Sequence, residues 1–189
     1  MAEYKIPEGK ELRIAISGKS GCGNTTVSTM LAKALGIKLI NYTFRQLAQE
    51  KGMTLADVIE KAKTDDSYDK FVDTKQVELA RQESCVLGSR LAIWMLKEAD
   101  VKIYLMASDE LRAKRILGRE GGSIEEIKAF TEMRDREDSK RYLKLYGIDN
   151  NDYEFVDMKV DTSVNVPEKI LENILTELEK KGFIEKVAG

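Results

Sequence analysis

A glycine-rich segment, GKSGCGNT at residues 18–25, separates an apolar stretch from a segment with helical periodicity. Glycines in such a turn let successive backbone N–H groups converge on phosphate oxygens, and the following helix adds the positive end of its dipole. The Thr25 hydroxyl has the spacing that suits a Mg²⁺ ion bridging nucleotide phosphates. The segment predicts a phosphate-binding loop, with a turn formed for tight packing as the alternative. Its candidate residues are Gly18, Lys19, Ser20, Gly21, Cys22, Gly23, Asn24, Thr25 and Thr26.

The loop departs at one position from the P-loop pattern G-x-x-x-x-G-K-[ST], because Asn24 stands where that pattern has lysine. A lysine there brings a mobile positive charge to the terminal phosphates, whereas the neutral amide of Asn24 only donates a hydrogen bond. Losing one such donor costs roughly 3 kcal/mol, or about a hundredfold in rate. Lys19 in the same loop is a candidate to fill the gap. The alternative for Lys19 is a solvated charge at the loop tip.

Arginine is concentrated in one part of the chain, since six of the ten arginines lie between positions 112 and 141. Guanidinium groups recognise phosphate through paired hydrogen bonds, so this concentration indicates an anionic ligand. Arg134, Asp138 and Arg141 have the spacing of one helix face, although a salt-bridged face exposed to solvent is the alternative. Arg45 and Arg90 each follow an apolar strand-like stretch, and ligands of open parallel sheets bind at the carboxyl ends of strands.

The composition excludes several classes of function. The 189 residues contain no histidine, which removes histidine general bases, Ser-His-Asp triads and His-ligated metals. The two cysteines, Cys22 and Cys85, are too few for a zinc cluster and suit a reducing cytoplasm. A formal charge of −2 gives no basic surface for a nucleic-acid polymer, and no apolar run approaches the roughly 18 residues of a membrane span. We therefore expect a cytoplasmic protein that binds a small or phosphorylated ligand.

Strand-like and helix-like segments alternate along the chain, which predicts an α/β fold with a parallel sheet and helices on both faces. Residues 1–10 are expected to form a short polar arm, and the predicted strands cover residues 12–17, 38–40, 85–87, 101–106 and 158–161. Thr54 and the Ser123–Glu126 pair mark helix starts. Within a single domain, 1–189, we expect an inserted helical region at 41–84 and a core formed by 11–40 and 85–189.

Several segments, taken in order, resemble the cytidylate kinase-like family: ISGKSGCGNTTV, NYTFRQLAQEKG, DKFVDTKQVELAR, VLGSRLAIWML and KRYLKLYGID. The resemblance runs from Arg13 to the C-terminal helix. It implies the nucleoside monophosphate kinase version of the P-loop fold, with a five-stranded parallel sheet, a monophosphate-binding insertion and a mobile lid at about 118–135. It also implies phosphoryl transfer from ATP to CMP or dCMP, with Mg²⁺.

The resemblance also implies roles for single residues. Arg45 and Arg90 would clamp the CMP phosphate, and Arg134 and Arg141 belong to an R-x-x-x-D-x-x-R element that reaches the CMP and the transferred phosphate. The implied CMP-binding residues are Arg45, Asp73, Gln76, Arg90, Arg134, Asp138 and Arg141. Together with Lys19 and Asn24 from the loop analysis, the candidate catalytic residues are Arg115, Arg119, Arg134 and Arg141, and the candidate metal ligand is Thr25, from the loop spacing.

The chain departs from the family's pattern at other positions too. The segment Gly88-Ser89-Arg90 lacks the carboxylate that related kinases carry before this arginine, and NYTFR is shorter than the usual form. Two other functions stay open: a P-loop kinase for another small acceptor, and a nucleotide-binding regulatory protein with little catalysis because Asn24 replaces lysine. The expected partners are small-molecule nucleotides, and we expect a monomer, with a dimer as the alternative.

Overall fold

The computed structural model describes residues 4–187, which form seven strands and eight helices. The strands are β1 (Tyr4–Lys5), β2 (Arg13–Gly18), β3 (Lys38–Ile40), β4 (Cys85–Gly88), β5 (Val101–Met106), β6 (Met158–Asp161) and β7 (Glu185–Lys186). The helices are α1 (Asn24–Leu35), α2 (Phe44–Lys51), α3 (Leu55–Ala62), α4 (Ser67–Ala80), α5 (Ala92–Met95), α6 (Asp109–Glu120), α7 (Ile124–Tyr146) and α8 (Pro167–Lys180).

Five strands form one parallel sheet in the order β3-β4-β2-β5-β6, which confirms the predicted sheet. Strand β2 lies at its centre, where Ile14 pairs with Val86 on one side and with Val101 on the other. The prediction of a polar arm at residues 1–10 is wrong at Tyr4–Lys5, which pair with β7 in a second, antiparallel sheet, and its first three residues lie outside the described residues. Two-residue strands carry no hydrophobic alternation, so the sequence gives no signal for this pairing.

Helices cover both faces of the sheet because the side chains of β2 alternate between them. Ile14 and Ile16 pack with Leu31 of α1 and Ile174 of α8 on one face. On the other face, Ala15 packs in a separate cluster with β4, α4 and α5 residues. Both faces of a parallel sheet must be buried, so the carboxyl ends of its strands are the part left open for a ligand.

Three helices, α2, α3 and α4, lie between β3 and β4. Each of the first two begins at a threonine with a reciprocal capping box, Thr43 with Gln46 and Thr54 with Asp57, and the predicted cap at Thr54 is confirmed. These helices form a small core of their own around Leu47. Because this group is joined to the sheet at the carboxyl end of β3 and by α4, it forms a wall beside the phosphate loop.

A buried arginine, Arg112 of α6, joins the phosphate loop to two helices. Its side chain is 2 % exposed. Its Nε donates to the Ser20 carbonyl at 2.7 Å, and its Nη2 contacts both carboxylate oxygens of Asp135 on α7, at 2.7 and 2.9 Å. Nη1 donates to Asp109 at 2.8 Å. The backbone of Arg112 also packs so closely on Gly21 that a Cβ there would lie 2.9 Å from it.

Replacing this arginine should destabilise the fold. Arg112→Ala removes the partner of Asp135 and of the Ser20 carbonyl, so we expect the free energy of unfolding to fall by about 3–5 kcal/mol. Urea unfolding followed by circular dichroism measures it. Lys114→Ala on the same helix is the control, because Lys114 and its partner Glu110 are both exposed and its loss should change stability by less than about 0.5 kcal/mol. Equal unfolding midpoints for the two variants would contradict a stabilising role.

Candidate active site

A cavity of about 1010 Å³ opens at the carboxyl edge of the sheet. Phosphate-loop residues 18–26 form one side, and residues from the end of β4, from α4 and from α7 form the others. Pockets that hold one small ligand usually measure about 300–1,000 Å³. This cavity therefore has room for two ligands, with one of them on the phosphate loop.

The phosphate loop depends on glycine. Gly21 and Gly23 have φ angles of 84° and 90°, which side chains other than glycine rarely adopt. A Cβ at Gly18 would lie 2.7 Å from the Leu105 carbonyl oxygen. The side chain of Cys22 lies in the core, so Cys22 lends only its backbone to the loop. No side chain caps the start of α1, which leaves its first N–H groups and its positive dipole end for an anion.

The Asn24 side chain makes a hydrogen bond within α1, beside the end of β4. Its Oδ1 accepts a hydrogen bond from Ser28 Oγ at 3.1 Å, and it lies 3.5 Å from the position of a Cβ on Gly88. Such a Cβ would also lie 2.6 Å from Ser28 Oγ, so only glycine fits at the end of β4. The amide of Asn24 therefore has a structural contact at the position where the common P-loop pattern has a mobile lysine.

Lys19 lines the cavity, and its Nζ lies 4.0 Å from Asp135 Oδ2. The same carboxylate binds Arg112 at 2.7 Å, so the Lys19 contact is the longer of the two ion pairs that Asp135 makes. Thr25 and Thr26, in the first turn of α1, are exposed and line the same cavity.

Two arginines that line the cavity share one carboxylate, that of Asp138. Arg90, from the loop after β4, and Arg141 of α7 both contact Asp138, the latter at 2.9 Å. Arg134 is one helical turn before Asp138 and makes no salt bridge with any residue from 4 to 187. Burial and the charge of Arg90 both lower the pKa of Arg134. The three arginines carry more positive charge than the Asp138 carboxylate balances, and this excess favours an anionic ligand.

Two buried side-chain atoms have no hydrogen-bond partner in the described part of the chain, and both belong to residues that line the cavity. One is Nε of Arg141, which lies 3.6 Å from Asp69 Oδ1, too far for a hydrogen bond. The other is Oε1 of Gln76 on α4, a residue only 5 % exposed. Buried polar atoms are nearly always satisfied, so these two indicate groups that a ligand completes.

Asp73 lies one helical turn before Gln76 and also lines the cavity. Its Oδ2 accepts a hydrogen bond from Tyr146 of α7 at 2.8 Å. Burial raises the pKa of Asp73 to about 6, although the Tyr146 hydrogen bond lowers it. Burial also raises the pKa of Tyr146, so its hydroxyl stays the donor of this pair.

The predicted residues do not all meet in the cavity. Arg45 is exposed in the first turn of α2 and is not among the lining residues. Arg115 and Arg119 line the cavity, but Arg115 is engaged with the protein, since it donates to the Gly21 carbonyl at 3.1 Å and to the Thr162 carbonyl at 2.7 Å. The prediction did not include Tyr146, whose position near the end of a highly charged helix gives no signal of a contact across the cavity.

Two further findings concern the part of the chain between residues 4 and 187. It has no cluster of three or more cysteine, aspartate or glutamate side chains arranged to hold a metal ion. None of its helices combines the length and apolar character needed to cross a membrane.

The protein family and the sequence relatives that this chain matches are named after cytidylate kinase. A sequence model of the "Cytidylate kinase-like family" matches residues 53–164. "Cytidylate kinase 2" of Borreliella burgdorferi is 45% identical over 176 residues, which cover 91% of this chain and 98% of the relative. "Cytidylate kinase" of Pyrococcus horikoshii is 43% identical over 169 residues, 87% of this chain and 86% of the relative.

The fold is similar to that of solved structures, two of which are kinases by name. Shikimate kinase from Bacteroides thetaiotaomicron aligns with a TM-score of 0.63 at 14% identity, over 89% of this chain and 98% of that one. Deoxyadenosine kinase from M. mycoides aligns with a TM-score of 0.56 at 20% identity, over 89% and 100%. These likenesses support the P-loop kinase fold, and the sequence relatives go further: the chain belongs to the cytidylate kinase-like family.

Proposed function

We propose that this protein transfers the γ-phosphoryl group of ATP to CMP or dCMP, which yields ADP and CDP or dCDP. The observation that carries the proposal is the single cavity in which the phosphate loop faces Arg90, Arg134 and Arg141. A donor phosphate on the loop and an acceptor phosphate on the arginines would meet inside it. The family relatives, which carry the name cytidylate kinase, favour a pyrimidine monophosphate as the acceptor over another small molecule.

The reaction needs little covalent chemistry from the protein. An oxygen of the acceptor phosphate attacks the γ-phosphorus, and the bond from that phosphorus to the β–γ bridging oxygen breaks. The acceptor oxygen is already anionic, so no strong base is required, and catalysis comes from positioning and from neutralising charge. A chain without histidine can therefore carry it out.

Different residues of the cavity bind the two substrates and neutralise the charge of their phosphates. Backbone N–H groups of residues 18–26 bind the ATP phosphates, and Lys19 supplies a positive charge near the terminal ones. Arg90 and Arg141 bind the acceptor phosphate through guanidinium hydrogen bonds, and Arg134 lies on the same helix face as Arg141. Arg119, exposed at the cavity edge, is available to the ATP side. Arg115 supports the loop through the Gly21 carbonyl and acts as a positioning residue.

This site would hold Mg²⁺ mainly through the phosphates of the bound nucleotide rather than through a cluster of protein side chains. Thr25 offers a hydroxyl oxygen, a ligand type that Mg²⁺ accepts, and Mg²⁺ commonly keeps several waters and binds substrate phosphates. When bound with ATP, the ion would neutralise charge on the phosphates. Initial rates of ADP release with CMP, dCMP, UMP and AMP as acceptors test the proposed function, and turnover that does not depend on CMP or dCMP would contradict it.

Binding of the acceptor should depend on the two arginines that share Asp138. CMP at about 100 times its Kd should stabilise the native protein by about 2.7 kcal/mol, and Arg90→Ala and Arg141→Ala should each remove most of the resulting rise in Tm. Thermal unfolding with and without CMP measures this for each variant. Arg136→Ala, an exposed arginine on the same helix, is the control and should keep the full shift. An unchanged CMP shift in both test variants would exclude these arginines as the phosphate site.

Lys19 should replace the charge of the absent P-loop lysine. We expect Lys19→Ala to lower kcat by roughly tenfold or more with little change in CMP affinity, as for an interaction made mainly in the transition state. Asn24→Lys should raise kcat in the Lys19→Ala background. Single-turnover rates measure both. Lys33→Ala, at the opposite end of α1, is the control, and a wild-type rate for Lys19→Ala would leave Lys19 as a loop-tip charge only.

A further inference from the structure

Charge is distributed unevenly over the wall of the cavity. Arginines and the phosphate loop line part of it, and Asp69, Asp73 and Gln76 of α4 line another part, where Asp69 lies beside Arg141. A carboxylate that no cation balances repels a phosphate, and Asp73 makes its one hydrogen bond within residues 4–187 to the neutral Tyr146 hydroxyl. Under the proposed function, the acceptor's phosphate therefore lies at the arginines, and its base or sugar lies against α4.

Two hydrogen-bond acceptors on this wall are available to a ligand. Oε1 of Gln76 is buried and has no partner. Asp73 uses Oδ2 for the Tyr146 hydroxyl, which leaves Oδ1 without a hydrogen bond from residues 4–187. Asp69, by contrast, lies beside the guanidinium of Arg141. Val72, Tyr42 and Phe44 also line the cavity and offer apolar contact of the kind that a flat base needs.

We infer that Asp73 and Gln76 form the base-reading site, and that they select cytosine by accepting hydrogen bonds from its exocyclic amine. This inference rests on the proposed function. Uracil carries a carbonyl oxygen at the same ring position, and that oxygen would face a carboxylate with no proton between them. Gln76 alone cannot discriminate cytosine from uracil, because its side-chain amide both donates and accepts hydrogen bonds. The discrimination against uracil therefore depends on Asp73.

The negative charge of Asp73 lowers the stability of the folded protein when no ligand is bound. Facing it are Asp69 on its own helix and Tyr146, Arg141 and Asp138 on α7. Its pKa is about 6 in the folded chain against an ordinary 3.8, so the folded protein binds the proton more tightly than the unfolded one. Stability consequently falls as the pH rises from about 3.8 to about 6. A carboxylate that stabilises the fold through an ion pair has a lowered pKa in the folded protein, and the stability of the protein then rises with pH.

The test is Asp73→Asn, which keeps the size of the side chain and an oxygen for Tyr146 but adds an amide donor. We expect the ratio of kcat/KM for CMP to that for UMP to fall by roughly tenfold or more, the equivalent of about 1.4 kcal/mol. We also expect the Tm of the unliganded variant at pH 8 to rise. Gln76→Met should weaken CMP and UMP alike. Asp66→Asn, whose carboxylate pairs with Lys144 outside the lining, is the control and should leave the ratio unchanged.

The outcomes separate the possible failures. A wild-type protein that phosphorylates neither CMP nor dCMP refutes the proposed function. A working kinase whose Asp73→Asn variant keeps the wild-type CMP-to-UMP ratio refutes the base-reading site alone. If the variant instead changes the ratio of CMP to dCMP and not that of CMP to UMP, Asp73 binds the ribose hydroxyl, and the inference is overturned in favour of sugar recognition.

Discussion

The buried guanidinium of Arg112 is the contact on which the geometry of the active site depends. It binds the Ser20 carbonyl of the phosphate loop and the carboxylate of Asp135. Arg112 lies on α6 before the segment expected to act as a lid, residues 118–135, and Asp135 is the last residue of that segment. The Arg112–Asp135 ion pair therefore ties the end of that segment to the phosphate loop.

The cavity combines surplus positive charge with carboxylates that hold it in place. Asp138 contacts both Arg90 and Arg141, so two long side chains from different elements are already oriented toward one point before a phosphate arrives. Such preorganisation reduces the side-chain entropy lost on binding. The same logic explains the two unsatisfied atoms, Arg141 Nε and Gln76 Oε1, because a site shaped for a ligand leaves its contacts incomplete without it.

The sequence predicted the parts of the structure that local physics determines. The sheet strands follow from short apolar runs, and the caps at Thr54 and Ser123 follow from side chains three residues apart. The contacts that assemble the site are instead long-range: Arg112 reaches Ser20 across 92 positions, and Tyr146 reaches Asp73 across 73. Hydrophobic periodicity carries no information on such pairs. The sequence therefore indicated Arg112 only as one of six clustered arginines, and it did not indicate Tyr146.

The absence of the P-loop lysine has a structural counterpart. Asn24 accepts a hydrogen bond from Ser28 beside Gly88, and Gly88 is followed directly by Ser89 and Arg90. Asn24 thus packs where the start of α1 lies beside the end of β4, and its hydrogen bond stays within α1. A lysine there would lack the oxygen that Ser28 uses. The positive charge must then come from outside this contact, and Lys19, which lies 4.0 Å from the Arg112-bound carboxylate of Asp135, is held where the loop and the base of the expected lid meet.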